Sequence, residues 1–195
     1  MTLDYKKSSL TKIIKKIKEN DRQALKELIK REQTNIYATL RYLGVNQDEI
    51  LDLVQDILLK ITNNIQNLKN IATYKSWSNK IILRQFYDYL RKNKKIKDNI
   101  KIIKDEEENT KKKEEIPDHS SNPIKNILSN ELDEIIKNAI NNLPNQYKIA
   151  IVMRELQGLT YDQIAKATKT NVGTVKSRIA RAREKLQEEI KHYIH

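Results

Sequence analysis

Apolar residues recur three and four positions apart along most of the chain, which is the spacing of one face of an α-helix. In the first half this pattern predicts helices over residues 21–43, 48–65 and 75–91. Gly44 is predicted to end the first of them, because glycine readily takes the backbone conformation that closes a helix. The polar segment 66–73 is predicted to be a loop. Three or four helices with short connections make a compact helical domain.

The second half repeats the helical pattern over shorter segments. One helix is predicted over residues 130–143, before Pro144, and another over residues 146–156, before Gly158. Two short helices follow, and the residues at their starts are the part of the sequence that is most informative about function.

Capping residues define these last two helices. Thr160 and Gln163 match a capping box, in which the hydroxyl accepts a hydrogen bond from the backbone three residues on and the glutamine reaches back. This predicts a helix from Tyr161, an interruption at KTNV, and a second helix capped by Asn171. The buried stripe of the second helix is predicted to consist of Val175, Ile179, Ala182 and Leu186.

The polar residues of the second helix are concentrated at its start. A helix of small residues, a four-residue turn and a second helix of this kind form a DNA-reading arrangement, because the front end of the second helix fits the major groove. Lysine and arginine there can neutralise phosphates, and arginine can pair with two acceptors on guanine. A solvated basic helix is the alternative. The candidate DNA contacts are Val172, Gly173, Thr174, Lys176, Ser177, Arg178, Arg181 and Arg183.

Composition favours an all-α fold, since 195 residues include only three glycines and three prolines. The formal charge of +12 favours a polyanionic partner. Residues 1–95 hold 20 basic and 10 acidic side chains, residues 96–125 hold 7 and 8, and residues 126–195 hold 11 and 8. We therefore predict two small helical domains, 1–95 and 126–195, joined by a flexible charged linker that has too little apolar surface to fold.

Several protein classes are disfavoured by what the sequence lacks. There is no cysteine, no apolar run of the roughly 20 residues that a membrane helix needs, and no signal-peptide pattern. We therefore expect a cytoplasmic protein without a membrane segment. His119, His192 and His195 have neither metal-ligand spacing nor a partner nucleophile. We expect no catalytic residue, no metal and no cofactor.

The residues from Leu159 to Leu186, LTYDQIAKATKTNVGTVKSRIARAREKL, resemble the fourth region of bacterial RNA polymerase sigma factors of the extracytoplasmic-function (ECF) type. TVKSR followed by RAR is a specific signal that a generic helix-turn-helix does not need. DLVQD at 52–56 is similar to the polymerase-contact helix of the second region, and W-x3-I-x6-D-x2-R from Trp77 to Arg91 is similar to its DNA-melting helix. The resemblance implies a subunit that gives core RNA polymerase promoter specificity and helps to open the DNA.

The predicted helix around DLVQD has an acidic and partly apolar outward face in an otherwise basic domain. Such a face repels phosphate, which favours a protein partner, and an ordinary exposed helix face is the alternative. The resemblance implies that this face docks on the core polymerase. Its residues are Asp52, Gln55, Asp56 and Leu59.

The predicted helix over 75–91 has a tryptophan on its basic side. Aromatic rings among cations hold single-stranded bases by stacking, whereas plain packing of Trp77 is the alternative. The resemblance implies that this side holds the melted promoter strand and that the preceding loop holds a flipped-out base. Ser78 and Arg84 depart from the leucine and asparagine usual in the family, which leaves the base preference open. The candidate contacts are Asn67, Lys69, Asn70, Trp77, Lys80, Arg84 and Arg91.

A dimeric helix-turn-helix regulator that binds duplex DNA independently of polymerase is the main alternative function. It predicts palindromic sites, and it gives no reason for DLVQD or for the helix of Trp77. A nonspecific nucleic-acid binder explains the charge but not the ordered motifs. A sigma factor is expected to have core RNA polymerase and promoter DNA as partners. The family adds an anti-sigma factor as a candidate partner, although no residue in the sequence demonstrates one.

Overall fold

A computed structural model of the protein describes residues 5–103 and 123–191. Over these ranges the chain forms eight α-helices and no strand, which confirms the predicted all-α fold. Residues 104–122, which make up most of the predicted linker, lie outside the described residues. The helices are α1 (Leu10–Lys18), α2 (Arg22–Leu43), α3 (Gln47–Asn64), α4 (Tyr74–Ile103), α5 (Pro123–Asn142), α6 (Asn145–Ile151), α7 (Tyr161–Thr168) and α8 (Val172–Lys191).

Helix α2 begins and ends close to its predicted limits because both ends are capped. The Asp21 carboxylate accepts hydrogen bonds from the backbone N–H groups of Gln23 at 2.8 Å and Ala24 at 3.1 Å. At the other end Gly44 has a φ of +83°, a left-handed conformation that glycine takes without a steric penalty. The chain then turns directly into α3. The limits of α2 are therefore set by residues that are close to its ends in the sequence.

The segment predicted as a loop before α4 contains two short 3₁₀ turns, Ile65–Asn67 and Ile71–Thr73. The first turn is tied to α1, a helix for which no bounds were predicted. Lys18 Nζ donates to the Gln66 carbonyl at 2.8 Å, and Gln66 Nε2 donates to a carbonyl near the end of α1 at 2.8 Å. Helix α1 therefore fixes the turns that precede α4.

The buried apolar residues of the two domains form one continuous cluster. Ile57 of α3 and Phe86 of α4 are fully buried in the first domain. In the second domain the predicted stripe of α8 is buried at its first three positions and half-buried at Leu186. Helix α6 continues into a π-helical turn, Val152–Leu156, in which the side chains of Val152 and Met153 add to the same cluster.

The helix-turn-helix forms as its caps predict. Thr160 Oγ1 accepts a hydrogen bond from the N–H of Gln163 at 3.2 Å, and Gln163 Oε1 accepts one from the N–H of Thr160 at 2.9 Å. Asn171 Oδ1 accepts a hydrogen bond from the N–H of Thr174 at 2.7 Å at the start of α8. Between the helices Lys169 has a φ of +54°, which turns the chain from α7 into α8. These local bonds set the orientation of α8.

We expect Thr160→Ala to lower the free energy of unfolding by about 1 kcal/mol, because the N–H of Gln163 loses its acceptor. Thr160→Ser keeps the hydroxyl and is the matched control. Urea denaturation followed by circular dichroism measures both variants. An unfolding midpoint for Thr160→Ala equal to that of the unchanged chain would show that this cap contributes nothing.

Candidate nucleic-acid and partner interfaces

The predicted DNA contacts of the second domain lie along the side of α8 that its buried stripe leaves uncovered. The Lys176 ammonium lies 5.9 Å from the centre of the Tyr161 ring on α7, a distance suited to a cation–π contact. Helix α7 thereby supports the front end of α8. Of the eight predicted contacts, three are half-buried, namely Val172, Thr174 and Arg178, and five are exposed, namely Gly173, Lys176, Ser177, Arg181 and Arg183.

Two of these arginines have polar neighbours within the second domain. Arg183 Nη2 donates to Glu155 Oε1 at 2.5 Å, and this bond raises the pKa of Arg183. Arg181 Nη1 donates to the Tyr147 hydroxyl at 3.4 Å, which raises the pKa of Arg181. Both side chains therefore stay positively charged. Because Arg183 and Glu155 are each more than half exposed, their ion pair is weak and a phosphate can replace it.

The predicted outward face of α3 is exposed at all of its four residues. The opposite side of the helix is buried at Ile50, Val54, Ile57 and Ile61. The structure adds Leu51, which is 64% exposed, to Leu59, which is 52% exposed. Leu51, Gln55 and Leu59 follow one another at intervals of four residues, so they lie on the same face of the helix. This spacing could have identified Leu51 from the sequence. The α3 outer face is hereafter this set: Leu51, Asp52, Gln55, Asp56 and Leu59.

The basic side of α4 contains a tryptophan that is both packed and accessible. The Trp77 ring lies 5.8 Å from the Tyr74 ring at an interplanar angle of 44°, and it is half-buried against the core. Lys80 and Arg84 are exposed on the same side, and Arg91 is exposed and forms an ion pair with Asp88. The structure thus brings the ring and the predicted cations to one side of the helix.

Ser78, which departs from the family pattern, lies elsewhere on α4. It is 3% exposed, and its hydroxyl donates to the Lys75 carbonyl at 3.2 Å. Arg84, the other departure, is exposed on the basic side. The Arg84 side chain is therefore accessible at the surface, whereas the Ser78 side chain takes part in the packing of α4.

The predicted contacts in the turns before α4 are all exposed. Asn70 Oδ1 accepts a hydrogen bond from the N–H of Ala72 at 2.9 Å, so this oxygen caps the second 3₁₀ turn. Asn67 lies in the first turn, and Lys69 lies between the two. The three side chains are close in sequence to Trp77, which lies near the start of α4, just after the turns.

The described residues show no arrangement for metal chemistry. Within residues 5–103 and 123–191, no group of three or more histidine, aspartate or glutamate side chains could hold a metal ion. None of the helices of these ranges is long and apolar enough to cross a membrane. His119, His192 and His195 lie outside the described residues.

Comparisons with known proteins match both domains. Residues 28–96 match the family model of Sigma-70 region 2, and residues 133–186 match that of Sigma-70, region 4. An ECF RNA polymerase sigma-E factor of Haemophilus influenzae is 32% identical over 179 residues, which cover 91% of this chain and 93% of that protein. RNA polymerase sigma factor SigV of Bacillus subtilis is 36% identical over 139 residues, covering 70% of this chain and 73% of that protein.

Solved structures are also similar to this chain. The sigma factor RpoE of Bartonella quintana, in complex with the anti-sigma factor NepR, has a TM-score of 0.64 and 25% identity, covering 85% of this chain and 96% of that chain. CnrH, in complex with the cytosolic domain of CnrY, has a TM-score of 0.63 and 16% identity, covering 94% of this chain and 97% of that chain. At 16% identity the second similarity concerns the fold alone.

Proposed function

The chain belongs to the ECF family of RNA polymerase sigma factors, and we propose that its two domains hold promoter DNA at two separate points while α3 docks on the core polymerase. The observation behind this proposal is that one chain has a basic helix-turn-helix face on α8 and an acidic, partly apolar face on α3. A basic face attracts phosphate and an acidic face repels it, so the two faces suit different partners. The combination supports a protein that bridges polymerase and DNA.

The proposed functions are divided between the two domains. Residues 1–95 are assigned polymerase docking and DNA opening, and residues 126–195 are assigned recognition of the distal promoter element. The matches at residues 28–96 and 133–186 support this division. Residues 96–125 are proposed to connect the two functions, although α4 extends into this segment as far as Ile103.

The α3 outer face is the proposed polymerase contact. Leu51 and Leu59 present apolar side chains to solvent, which an interface with a protein partner would bury. Asp52 and Asp56 lie beside them and suit a basic patch on that partner. DNA is a poor partner for this face because two carboxylates would be brought close to phosphates.

DNA opening is proposed to take place on the basic side of α4. Extruding a base costs a few kcal/mol, and stacking on an aromatic ring contributes about 1–3 kcal/mol per base. Trp77 offers such a ring, and Lys80, Arg84 and Arg91 offer positive charge along the path of the strand. The remaining proposed contacts, from the turns before α4, are Asn67, Lys69 and Asn70.

The front end of α8 is proposed to enter the major groove of the distal promoter element. Asn171 caps this end, so the side chains that follow it are held at the tip of a rigid element. Arg178 can pair with two acceptors on guanine, whereas Lys176 suits a phosphate. The other proposed contacts are Val172, Gly173, Thr174, Ser177, Arg181 and Arg183.

Lys176→Ala is expected to weaken promoter binding by the polymerase complex to a similar degree for all sequences. Because one phosphate contact is lost, the slope of log K against log salt should fall by about 1. Fluorescence anisotropy between 50 and 200 mM salt, a range of about fourfold, measures the slope. Lys185→Ala, which changes the same charge further along α8, is the control. An unchanged slope for Lys176→Ala would remove this residue from the DNA interface.

Other aspects of the function rest on the family. The family assignment supports a subunit that is not an enzyme. The cytoplasm is proposed as its location, because that is where a bacterial polymerase transcribes DNA. An anti-sigma factor is a further proposed partner, supported by the complex in which RpoE of Bartonella quintana was solved.

Assembly with core polymerase tests the proposed function. We expect the purified chain to form a complex with the core enzyme and to bind promoter DNA tightly only within that complex, since two modest DNA contacts add up when their spacing is fixed. Titration of a labelled chain with core polymerase, with and without promoter DNA, measures both steps. Tight binding of palindromic duplexes by the chain alone, as a dimer, would favour a conventional helix-turn-helix regulator instead.

A further inference from the structure

Tyr74 lies at the point where the turns before α4 join that helix. Its backbone N–H donates to the Ile71 carbonyl and closes the second 3₁₀ turn. The Asn70 carbonyl accepts a hydrogen bond from the Thr73 hydroxyl at 2.7 Å, and the Thr73 carbonyl accepts one from the Ser76 hydroxyl at 2.9 Å. These bonds connect the second turn to the start of α4 on either side of Tyr74.

The Tyr74 side chain is buried although it follows an exposed segment. It is 2% exposed, and the Glu32 side chain of α2 is 7% exposed. The Tyr74 hydroxyl has no hydrogen bond of regular geometry among the described residues, but it interacts electrostatically with the Glu32 carboxyl. Burial, followed by the negative charge of Glu32, raises the pKa of Tyr74, so the hydroxyl keeps its proton. The side chain is therefore fixed inside the first domain.

The Trp77 ring packs against this buried tyrosine. The two ring centres are 5.8 Å apart, within the range of a favourable aromatic pair. Tyr74 and Trp77 are three positions apart on α4, so their side chains are neighbours on the helix surface. Among the aromatic rings of the described residues, Tyr74 is the one paired with Trp77, whereas Phe86 pairs with Tyr87 and Tyr89 further along α4. Tyr74 is therefore the aromatic support of the half-buried tryptophan.

We propose that Tyr74 is a positioning residue for DNA opening, because its buried ring fixes the Trp77 ring relative to the turns that precede α4. The inference rests on the proposed function, in which Trp77 stacks on an unpaired base. A ring that moves freely loses conformational entropy when a base binds, and a ring that is already held does not. Tyr74 is buried, so it acts through Trp77 and not by contact with DNA.

The position of Tyr74 also relates the two parts of the proposed site for the melted strand. The extruded base is assigned to side chains that precede Tyr74 in the sequence, and the stacked base is assigned to Trp77, which follows it. A binding site requires that its side chains be held in place by the packing of the residues behind them. A change at Tyr74 therefore moves one part of the site relative to the other, and one strand can no longer contact both in the best geometry.

Fluorescence of the full chain tests the position of the ring directly, because Trp77 is the one tryptophan in the sequence. We expect Tyr74→Leu to give the Trp77 ring more rotational freedom, seen as a faster decay of its fluorescence anisotropy on the nanosecond timescale. Tyr74→Phe keeps the supporting ring and should decay as the unchanged chain does. Phe86→Leu makes a similar change at a fully buried position further along α4 and is the matched control. It should leave the decay unchanged.

Open-complex formation by the polymerase complex tests the functional consequence. Tyr74→Leu should lower the open fraction about 2- to 10-fold, which corresponds to the loss of one aromatic pair. Tyr74→Phe should retain most of the open fraction. In a chain that already contains Trp77→Ala, Tyr74→Leu should cause no further loss, because both changes act on one contact. Permanganate reactivity of the promoter measures the open fraction, and circular dichroism checks that each variant stays helical.

Three results would overturn the proposal. The first is an unchanged anisotropy decay in Tyr74→Leu, which would mean that Trp77 is held without Tyr74. The second is an equally fast decay in Phe86→Leu, which would mean that the whole domain has loosened. The third is the same loss of open complex from Tyr74→Leu with and without Trp77, which would mean that Tyr74 does not act through that ring. Normal promoter opening by Trp77→Ala would instead contradict the proposed function. The two failures are distinguishable because the anisotropy decay is measured without DNA or polymerase.

Discussion

The double variant Asp52→Lys/Asp56→Lys is expected to bind core RNA polymerase about 100-fold more weakly than the unchanged chain. Both carboxylates are exposed on the α3 outer face. Placing two lysines against a basic partner surface brings like charges together, which costs several kcal/mol, and each 1.4 kcal/mol corresponds to a tenfold change in affinity. Competition for core polymerase against the labelled, unchanged chain measures the loss.

The double variant should fold normally, because the buried side of α3 is untouched. Glu184→Lys/Glu188→Lys changes the net charge by the same amount on exposed positions of α8 and is the matched control. It should bind core polymerase as the unchanged chain does. Equal affinity of the two double variants would show that the α3 outer face is not the docking site.

Trp77→Ala is expected to lower open-complex formation by the polymerase complex about 10- to 100-fold. One aromatic stacking partner contributes about 1–3 kcal/mol to holding an unpaired base, and this contribution is lost with the ring. Permanganate reactivity of unpaired thymines in the promoter measures the open fraction. Trp77→Phe keeps an aromatic face and should retain most of the activity.

Trp77 also packs beside Tyr74, so the loss of packing must be separated from the loss of stacking. Affinity for core polymerase should be unchanged in Trp77→Ala if the first domain stays folded. A template with an artificial bubble is already unpaired, so the polymerase complex does not have to melt it. On this template the difference in open-complex formation between Trp77→Ala and the unchanged chain should be smaller. Normal opening of duplex promoters by Trp77→Ala would contradict a role for this ring in DNA opening.

The parts of the fold that sequence patterns predict are those that short-range hydrogen bonds determine. The capping box of Thr160 and Gln163, the cap at Asn171 and the left-handed Gly44 each involve residues within a few positions of one another. The buried stripe of α8 follows from helical spacing alone. Local chemistry is therefore sufficient to predict the helix-turn-helix and the orientation of its second helix.

Contacts between segments that are far apart in the sequence leave no such pattern in it. Asn35 and Gln157 are 122 positions apart, and nothing near either residue marks them as partners. Arg31 likewise fastens α2 to the chain before α1 by donating to the carbonyls of Tyr5 and Ser8 at 2.8 and 2.9 Å. The half-buried state of Trp77 depends on Tyr74 and on the core, so the sequence left packing and stacking as alternatives. The assignment of individual DNA and polymerase contacts stays a prediction.

Run-off transcription with purified core polymerase tests the central claim most directly, namely that this chain gives the polymerase its promoter specificity. The template is genomic DNA of the organism that encodes the chain, and the 5′ ends of the transcripts are sequenced. We predict a set of defined 5′ ends that appears only when core polymerase and the chain are both present, each preceded by the same two promoter elements. A pattern of transcripts that is the same with and without the chain would contradict the claim.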